Sequence, residues 1–401
     1  MTWPSLIFLF ALWLIAMLWA ACSVAALRGL PRVSSLLDPR FDQRIASGEA
    51  AGATGSLVTV IIPARNEAAA IESCLRSLLA QSVPLEIVAV NDRSTDATGS
   101  MMDRLAAEPL LPGKSLRVVH VDSLPEGWLG KPHAMALGAQ HAARPWLLFT
   151  DADVLFAPDA IARALRFSHE CQADHVVLMP TLILKTAGER MMAMFFQALS
   201  LLWWRPWRIA DPGSRDSIGI GAFNLIRTEV YRAVGGFEAQ RFQVLDDVRL
   251  GVEVKRCGYR QRLTFGRGLI RLHWAQGALG MARNLTKNLY AGFGFNPALL
   301  LGACLGLALL CYAPIAGLFA PWPFRLAALL SLIMVAVHYR LAGRYFSGVS
   351  TAYFLSLPIA CVFVLYAMLR SMIVTLARRG VVWRGTFYPL GELRRQSGRL
   401  R

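Results

Sequence analysis

The sequence lacks the cysteine spacing that would indicate a disulfide framework or a zinc site. It has seven cysteines, no two of them are spaced as CxxC, and four lie within long apolar runs. These cysteines are therefore interpreted as small buried side chains. Acidic residues are also scarce, with 26 Asp and Glu against 42 Lys and Arg.

The excess of positive charge raises the question of nucleic-acid binding, and the position of the arginines answers it. Arg28, Arg32, Arg40 and Arg44 follow the first apolar segment of the chain. A second group follows the last apolar segment and comprises Arg378, Arg379, Arg384, Arg394, Arg395, Arg399 and Arg401. Basic residues beside apolar segments are typical of the cytoplasmic ends of membrane spans. We therefore predict no nucleic-acid partner, and a cytoplasmic location for the domain after the first segment.

Long apolar runs are abundant, and 55% of the residues are hydrophobic. Leu6 to Leu27 is uncharged and long enough to cross a hydrocarbon core of roughly 30 Å as a helix. A cleaved signal peptide is the alternative, but no basic region precedes this run and the run is too long. We predict a transmembrane anchor at residues 1–28 and a linker at 29–56.

Three more apolar runs predict a membrane bundle at residues 297–378, followed by a basic tail at 379–401. They are Ala298 to Ala320, Leu326 to Val337 and Ala352 to Leu376. Three crossings would place the basic tail on the side opposite the first arginine group, which conflicts with the preference of basic residues for the cytoplasm. We therefore expect one segment, either Ala352 to Leu376 or the stretch near Leu326, to lie in the interface or to re-enter.

Residues 57–296 are interpreted as a cytoplasmic domain in which strand-length apolar runs alternate with segments of helical period. The predicted strands cover 57–63, 85–92, 116–121 and 146–153, and the predicted helices cover 67–80, 96–107 and 132–143. Continuous β-branched runs separated by helices predict an α/β fold whose parallel sheet is covered on both faces.

Acidic side chains stand where the predicted strands end. Glu67 follows the first strand, Asp92 ends the second, and Asp151 and Asp153 end the fourth. Ligands bind at the carboxyl ends of such strands, and two neighbouring carboxylates there call for a compensating cation such as Mg²⁺ or Mn²⁺. No GxGxxG follows the first strand, so we predict a nucleotide held through a divalent ion and not a dinucleotide.

Six segments, in this order along the chain, resemble the family-two inverting glycosyltransferases, which have an A-type fold and use nucleotide sugars. They are VTVIIPARNEAAAIESCLRSLLAQ, EIVAVNDRSTDAT, GKPHAMALGAQHA, LLFTDADVLFAPDAI, GAFNLIRTEVYRAVGGFEAQ and VLDDVRLGVEVKRCGYR. The membrane segments make the chain similar to the polytopic branch with ceramide glucosyltransferase-like and hopanoid- or carotenoid-associated bacterial enzymes.

The resemblance implies a role for each residue of the donor site. Asp153 would bind the metal ion, and Asp151 would contact the ribose or the sugar. Asp92 would accept hydrogen bonds from the base, Glu67 from the ribose or base, and Lys131 would pair with phosphate or the donor sugar. Helix capping and turn formation are the alternatives for these acids, and a solvated loop residue is the alternative for Lys131.

The resemblance also makes Asp247 the general base, which removes a proton from the acceptor hydroxyl in a single inverting displacement. The alternative is a helix start capped by Asp246. No QxxRW motif follows Asp247, since HWAQGALGMARNLTKN stands there. This absence favours transfer of one sugar to a membrane lipid over polysaccharide synthesis.

Two further alternatives stay open at this point. A catalytically silent membrane scaffold that binds nucleotide is the alternative to an enzyme. The aromatic segment Glu189 to Arg208 is interpreted as a helix in the membrane interface, with burial in a protein core as the alternative.

Overall fold

The computed structural model describes residues 2–42, 57–383 and 385–396. The chain divides into two compact units. The sheet unit comprises Val33–Ile183 and Trp207–His273, and the helical unit comprises Met1–Arg32, Leu184–Pro206 and Trp274–Arg399. Most of the predicted linker, from residue 43 to residue 56, lies outside the described residues, as do Arg384, Arg399 and Arg401 of the predicted basic tail.

Fourteen α-helices and twelve strands are assigned in the described residues. The helices are α1 (Trp3–Gly29), α2 (Ile71–Leu79), α3 (Thr98–Ala106), α4 (Gly130–Gln140), α5 (Ala160–Glu170), α6 (Ala187–Ser200), α7 (Thr228–Ala233), α8 (Asp246–Arg256), α9 (Gly277–Asn284), α10 (Thr286–Gly292), α11 (Pro297–Gly317), α12 (Phe324–Ala342), α13 (Leu357–Ala377) and α14 (Leu390–Gln396). The strands are β1 (Val58–Ala64), β2 (Leu85–Asp92), β3 (Lys114–Val121), β4 (Trp146–Phe149), β5 (Leu155–Phe156), β6 (His175–Leu178), β7 (Thr181–Leu182), β8 (Asn224–Arg227), β9 (Gln261–Thr264), β10 (Ile270–Leu272), β11 (Gly380–Trp383) and β12 (Thr386–Pro389).

The sheet unit is built on a seven-stranded sheet of order β3-β2-β1-β4-β8-β6-β9. Strands β3, β2, β1 and β4 are parallel, as predicted, and every residue of β1 is buried. Strand β8 runs antiparallel to both β4 and β6, so the sheet is mixed. The α/β class predicted from the buried β-branched runs is confirmed, and the antiparallel strand is an addition that the runs did not indicate.

The helical unit holds four helices that are long and apolar enough to cross a membrane, among the described residues. Helices α1 and α12 run in the same direction, because Phe8 stacks on Phe324 and Trp19 contacts His338 further along both helices. Helix α11 runs against α12, to which a six-residue turn joins it.

Helix α13 also runs against α11. The Tyr312 hydroxyl donates to the Pro358 carbonyl, and Cys304 contacts Met368. Helices α12 and α13 therefore point the same way. The residues between them, 343–356, must run back from the carboxyl end of α12 to the amino end of α13. This return contains the π-helical turn Gly343–Ser347 and the 3-10 helix Thr351–Ser356.

The direction of these helices brings basic residues to one end of the bundle. Helix α1 ends beside Arg28, α12 ends beside Arg340, and α13 ends beside Arg378. The conflict between three crossings and a basic tail on the opposite side therefore does not arise, because the carboxyl ends of α1, α12 and α13 share one end of the unit.

The segment Glu189 to Arg208 contributes α6 to the helical unit. Helix α6 packs against α12 and α13, and its Met191, Met194 and Phe195 side chains are buried. Trp203, beyond the end of α6, is 62% exposed. Phe196, on α6 itself, is also exposed, so the helix is buried on one side only and its location in the membrane interface stays a prediction.

Candidate functional site

The carboxyl ends of β1, β2 and β4 carry the acidic residues that the sequence singled out. Glu67 lies in the loop after β1, Asp92 is the last residue of β2, and Asp151 and Asp153 follow β4. Because these strands are parallel neighbours, their carboxyl ends share one edge of the sheet. Helix α5 has Asp159 at its N-cap, so Asp153 does not cap that helix.

The loops after β1 and β2 are tied together by side chains. The Glu67 N–H donates to Thr98 Oγ1 at 2.8 Å, and the Ala68 N–H donates to Asp96 Oδ2 at 3.1 Å. The predicted helix start at Glu67 is therefore wrong, since α2 begins at Ile71. The backbone before Ile71 is held by the neighbouring loop and by a turn in which the Ala70 and Ile71 N–H groups donate to the Glu67 carbonyl. These bonds fix Glu67 at the sheet edge.

Asp92 is buried and paired with the next residue in the chain. Arg93 Nε donates to Asp92 Oδ1 at 2.8 Å and Arg93 Nη2 donates to Oδ2 at 3.2 Å. The charges of Asp92 and Arg93 also act on His133, which lies on α4. Burial lowers the pKa of His133, Arg93 lowers it further, and Asp92 acts in the opposite direction. A nucleobase at this position would meet a carboxylate, a guanidinium and an imidazole, and the sequence reasoning identified only the carboxylate.

Lys131 lies in the first turn of α4 and forms an ion pair with Asp151. Its Nζ atom is 2.6 Å from Asp151 Oδ1. Burial alone would lower the pKa of Lys131, but nearby carboxylates raise it above its usual value, and these belong to Asp151, Asp246 and Asp247. The lysine is therefore a cation held within an acidic cluster and not a solvated loop residue.

Asp247 stands in the first turn of α8. The N-cap of this helix is Leu245, so Asp246 does not cap it as the alternative interpretation supposed. Burial raises the pKa of the Asp247 carboxyl, and the Asp151 charge adds to this rise. Lys131 and two backbone N–H groups, from Val248 and Gly221, act to lower it without reversing the direction. Asp247 is thus a carboxylate with increased proton affinity that lies near the Lys131–Asp151 pair.

Glycines in the segment before β8 allow the close approach between these elements. A Cβ atom on Gly219 would overlap the backbone carbonyl of Asp247. A Cβ atom on Gly221 would lie 2.6 Å from Asp151 Oδ2 and 3.0 Å from Lys131 Nζ. The segment from Ile218 to Gly221 therefore runs between Asp247 and the ion pair. Sequence reasoning assigned it no role in the site, although the GxG spacing was a visible signal.

Asp153 carries the strongest indication of a cation. Burial and repulsion from Asp151 and Glu67 raise the pKa of Asp153 to about 6. In the described part of the chain, no group of three or more His, Cys, Asp or Glu side chains is arranged to hold a metal ion. A magnesium-type ion is usually held by one or two carboxylates together with substrate phosphates. The repelling carboxylates fit such an ion, which would need the donor to complete its coordination.

Comparison with known proteins identifies the domain to which this site belongs. Residues 59–235 match the family model described as "Glycosyl transferase family 2". The chain carries a family 2 glycosyltransferase domain. This domain contains the four acidic residues at the sheet edge and Lys131, whereas Asp247 lies twelve residues beyond the matched region.

Curated relatives that this chain matches include enzymes from Staphylococcus aureus. The 4,4'-diaponeurosporenoate glycosyltransferases of strains MRSA252 and USA300 are each 30% identical to this chain over 196 residues. The matched region covers 48% of this chain and 50% of each relative. The chain therefore spans about half the length of the curated relatives that it matches.

Two solved structures are similar to this chain at low identity. One is a mannosyltransferase from Pyrobaculum calidifontis in complex with GDP-Man and Mn²⁺, at 19% identity and a TM-score of 0.47, covering 91% of this chain and 99% of that chain. The other is S. aureus TarS (residues 1–349) in complex with UDP-GlcNAc, at 15% identity and a TM-score of 0.39, covering 82% and 95%.

Proposed function

We propose that this protein transfers a single sugar, with inversion, from a nucleotide-sugar donor to a membrane lipid at the cytoplasmic face of the membrane. The observation that carries the proposal is the position of Asp247, which is partly buried, has a raised pKa and lies near the Lys131–Asp151 ion pair. A base next to a phosphate-binding cation is the arrangement that a single displacement at the anomeric carbon requires.

The donor is held along the sheet edge in this proposal. Asp92 and Glu67 accept hydrogen bonds from the base and ribose, and Asp151 contacts the ribose or the sugar. Lys131 faces the diphosphate and transfers its ion pair from Asp151 to the phosphate oxygens when the donor binds. Asp153 holds Mg²⁺ or Mn²⁺, whose chemistry is to stabilise the negative charge that builds on the nucleoside diphosphate as it leaves.

Asp247 acts on the acceptor. Its raised pKa suits it to take a proton from a hydroxyl group as that oxygen attacks the anomeric carbon. The low dielectric that raises the pKa also strengthens the attraction between Asp247 and the transferred proton. One base is sufficient, because a single displacement forms no covalent sugar–enzyme intermediate.

The helical unit supports a lipid acceptor and a cytoplasmic site. Four helices in the described residues are long and apolar enough to cross a membrane, which supports an enzyme embedded in a bilayer. Basic residues at the shared carboxyl ends of α1, α12 and α13 favour the cytoplasm for that end. Phe319 and Trp322, at the opposite end between α11 and α12, are strongly exposed, as aromatic residues at a membrane interface are.

The relatives' name raises a second acceptor chemistry, because diaponeurosporenoate is a carboxylate. A carboxylate is already ionised at neutral pH, so the transfer of a sugar to a carboxylate acceptor needs no general base. The raised pKa of Asp247 favours a hydroxyl acceptor for this protein. A substitution at Asp247 therefore distinguishes transfer to a hydroxyl group from transfer to a carboxylate.

The test measures nucleoside-diphosphate release by the purified full-length protein in nanodiscs over a panel of nucleotide sugars. Reactions contain total lipid extract, or a carotenoid carboxylate, with Mn²⁺, Mg²⁺ or a chelator. We expect lipid- and metal-dependent release that Asp247→Asn lowers by about 10²- to 10⁴-fold, the usual contribution of a general base. Asp103→Asn, at an exposed residue paired with His120, is the matched control and should keep full activity.

Three results would contradict the proposal or part of it. Donor binding without release under any condition would identify a nucleotide-binding scaffold. A polymeric product would identify a polysaccharide synthase. Full activity of Asp247→Asn on a carboxylate acceptor, with none on hydroxyl lipids, would assign ester formation in place of hydroxyl transfer.

A further inference from the structure

The segment from Ile218 to Ala222 is irregular backbone that runs through the buried part of the sheet unit. It belongs to no helix or strand, so its carbonyl groups have no ladder partners. Buried backbone groups of this kind must be paired by side chains or water. Polar side chains on two strands, β8 and β9, and one just after the end of β4 pair alternate carbonyls of this segment.

Gln261 on β9 holds both backbone groups of Ile218. Its Oε1 accepts the Ile218 N–H at 2.9 Å, and its Nε2 lies 2.9 Å from the Ile218 carbonyl oxygen. Nε2 is also 3.1 Å from the carbonyl oxygen of Gly251, one turn beyond Asp247 on α8. One buried amide therefore fixes the segment against the helix that carries the proposed base.

Asn224 and Thr150 hold the next two alternate carbonyls. Asn224 Nδ2 donates to the Ile220 carbonyl at 2.8 Å, and Thr150 Oγ1 donates to the Ala222 carbonyl at 2.8 Å. Residues 218, 220 and 222 are thus anchored away from the site. The glycines between them face it, since the Gly221 N–H donates to the Asp247 carboxylate.

His175 joins the two amides. Its Nε2 donates to Asn224 Oδ1 at 3.1 Å, and its Nδ1 accepts from Gln261 Nε2 at 2.9 Å. The orientation of each amide, set by its bonds to the backbone, fixes this neutral tautomer. Burial lowers the pKa of His175 to about 4, so the ring stays neutral at physiological pH. All three side chains are at most 1% exposed.

We infer that Gln261, Asn224 and His175 are positioning residues, which hold the backbone of Ile218 to Gly221 so that the Gly221 N–H meets the Asp247 carboxylate. They touch neither donor nor acceptor and act through the segment. The inference rests on the proposed function for its kinetic test and on the structure alone for its exchange test.

Gln261→Met tests the inference, because methionine has nearly the same length and cannot make the hydrogen bonds. The matched control is Gln81→Met. Gln81 is also buried and bonds to the backbone of Ser77, Ala157 and Ile161, but to no residue of the segment. Both variants lose a buried amide that binds backbone, so both should lose thermal stability to a similar extent.

Only Gln261→Met should change catalysis. We expect its kcat to fall about 10- to 100-fold, because small displacements of reacting groups lower the rate by such factors. The donor KM should stay within about threefold of wild type. The acid limb of its pH–rate profile should move to higher pH, since the Gly221 N–H no longer stabilises the Asp247 carboxylate. Gln81→Met should keep kcat within about twofold and leave the profile unchanged.

Hydrogen exchange followed by mass spectrometry tests the same inference without activity. Gln261→Met should speed amide exchange in peptides covering residues 216–224, and Gln81→Met only in those covering 155–162. Unchanged exchange at 216–224, or a loss of kcat that is equal in the two variants, would overturn the inference. If Gln261→Met does not fold, Asn224→Ser, which releases the Ile220 carbonyl and the His175 Nε2 group, is measured in its place.

The two hypotheses fail in different ways. A wild-type protein that transfers no sugar would refute the proposed function and leave the exchange result to decide the inference. A wild-type protein that transfers sugar, with a Gln261→Met variant of equal kcat and pH profile, would refute only the inference.

Discussion

Lys131 Nζ lies 2.6 Å from Asp151 Oδ1, so the cation of the proposed donor site is neutralised by an acid of the same site. The Asp151 carboxylate also acts on Asp153 and on Asp247, whose pKa values it raises. The ion pair therefore couples the donor side of the site to the proposed base. A bound diphosphate would compete with Asp151 for Lys131, so donor binding should change the electrostatics that the base experiences.

Replacing Lys131 with methionine should weaken nucleotide binding. The variant removes the cation that would pair with the diphosphate and leaves its acidic neighbours without it. We expect the Kd for nucleoside diphosphate, measured by calorimetry, to rise by at least about tenfold. Lys255→Met is the control, because Lys255 donates to the backbone carbonyls of Ile209 and Asp211 and not to the acidic cluster. Equal affinities of Lys131→Met and wild type would contradict the role given to Lys131.

The activity should be lost in acid at a higher pH than an ordinary aspartate base would give. Asp247 must be deprotonated to act as a base, and burial raises its pKa. As pH falls through this raised value, the fraction of active enzyme falls with it. The logarithm of kcat at saturating donor and acceptor should therefore decline with unit slope below a midpoint above about 3.9, the ordinary value for aspartate. A profile that is flat down to pH 4 would exclude Asp247 as the base.

Asp153→Asn should alter the metal requirement. The amide removes one negative charge from a cluster in which Asp151 and Glu67 repel Asp153, and amide oxygen is a weaker ligand for a hard cation. We expect the Mn²⁺ concentration for half-maximal activity to rise by about tenfold or more. Asp159→Asn, at a half-exposed residue paired with Arg163, serves as the comparison and should leave the metal curve unchanged. If the dependence of activity on Mn²⁺ concentration were the same for Asp153→Asn and wild type, Asp153 would not be a metal ligand.

Glu189→Gln should destabilise the helical unit without affecting the sheet edge. The buried Glu189 carboxylate accepts the Lys185 N–H at 2.6 Å and the Gly277 N–H at 2.8 Å, so it joins the amino-terminal regions of α6 and α9. Glutamine has one oxygen in place of two and leaves one of these buried N–H groups without an acceptor. We expect a loss of about 1–3 kcal/mol, seen as a lower Tm in detergent. Glu170→Gln, at a partly exposed helix pair, is the control and should change Tm little.

Local patterns in the sequence predicted the main features of the sheet unit. Continuous runs of β-branched residues predicted β1, β2 and β4 to within a few residues, because strands buried on both faces admit few polar residues. The helix start at Glu67 was wrong, since α2 begins at Ile71, and the Glu67 and Ala68 N–H groups bond to Thr98 and Asp96, about thirty residues away. Contacts at such separation leave no periodic signal in the sequence.

The polar network below the proposed base could not be predicted from the sequence. His175, Asn224 and Gln261 begin three short strands that are otherwise apolar or amphipathic, and each residue alone is typical of a strand end. Their function emerges from strand order, which places β8, β6 and β9 side by side. Strand order depends on long-range pairing, which the sequence of a single strand does not encode.

By itself the sequence determined the composition of the site and of the membrane segments. Acids at strand ends, a lysine at a helix start and runs of apolar residues follow from short-range chemistry that each segment carries alone. Only the tertiary structure decided that Lys131 pairs with Asp151 and that α12 and α13 run in the same direction. These relationships depend on how separate segments pack, and packing is set by the energy of the whole fold and not by any one segment.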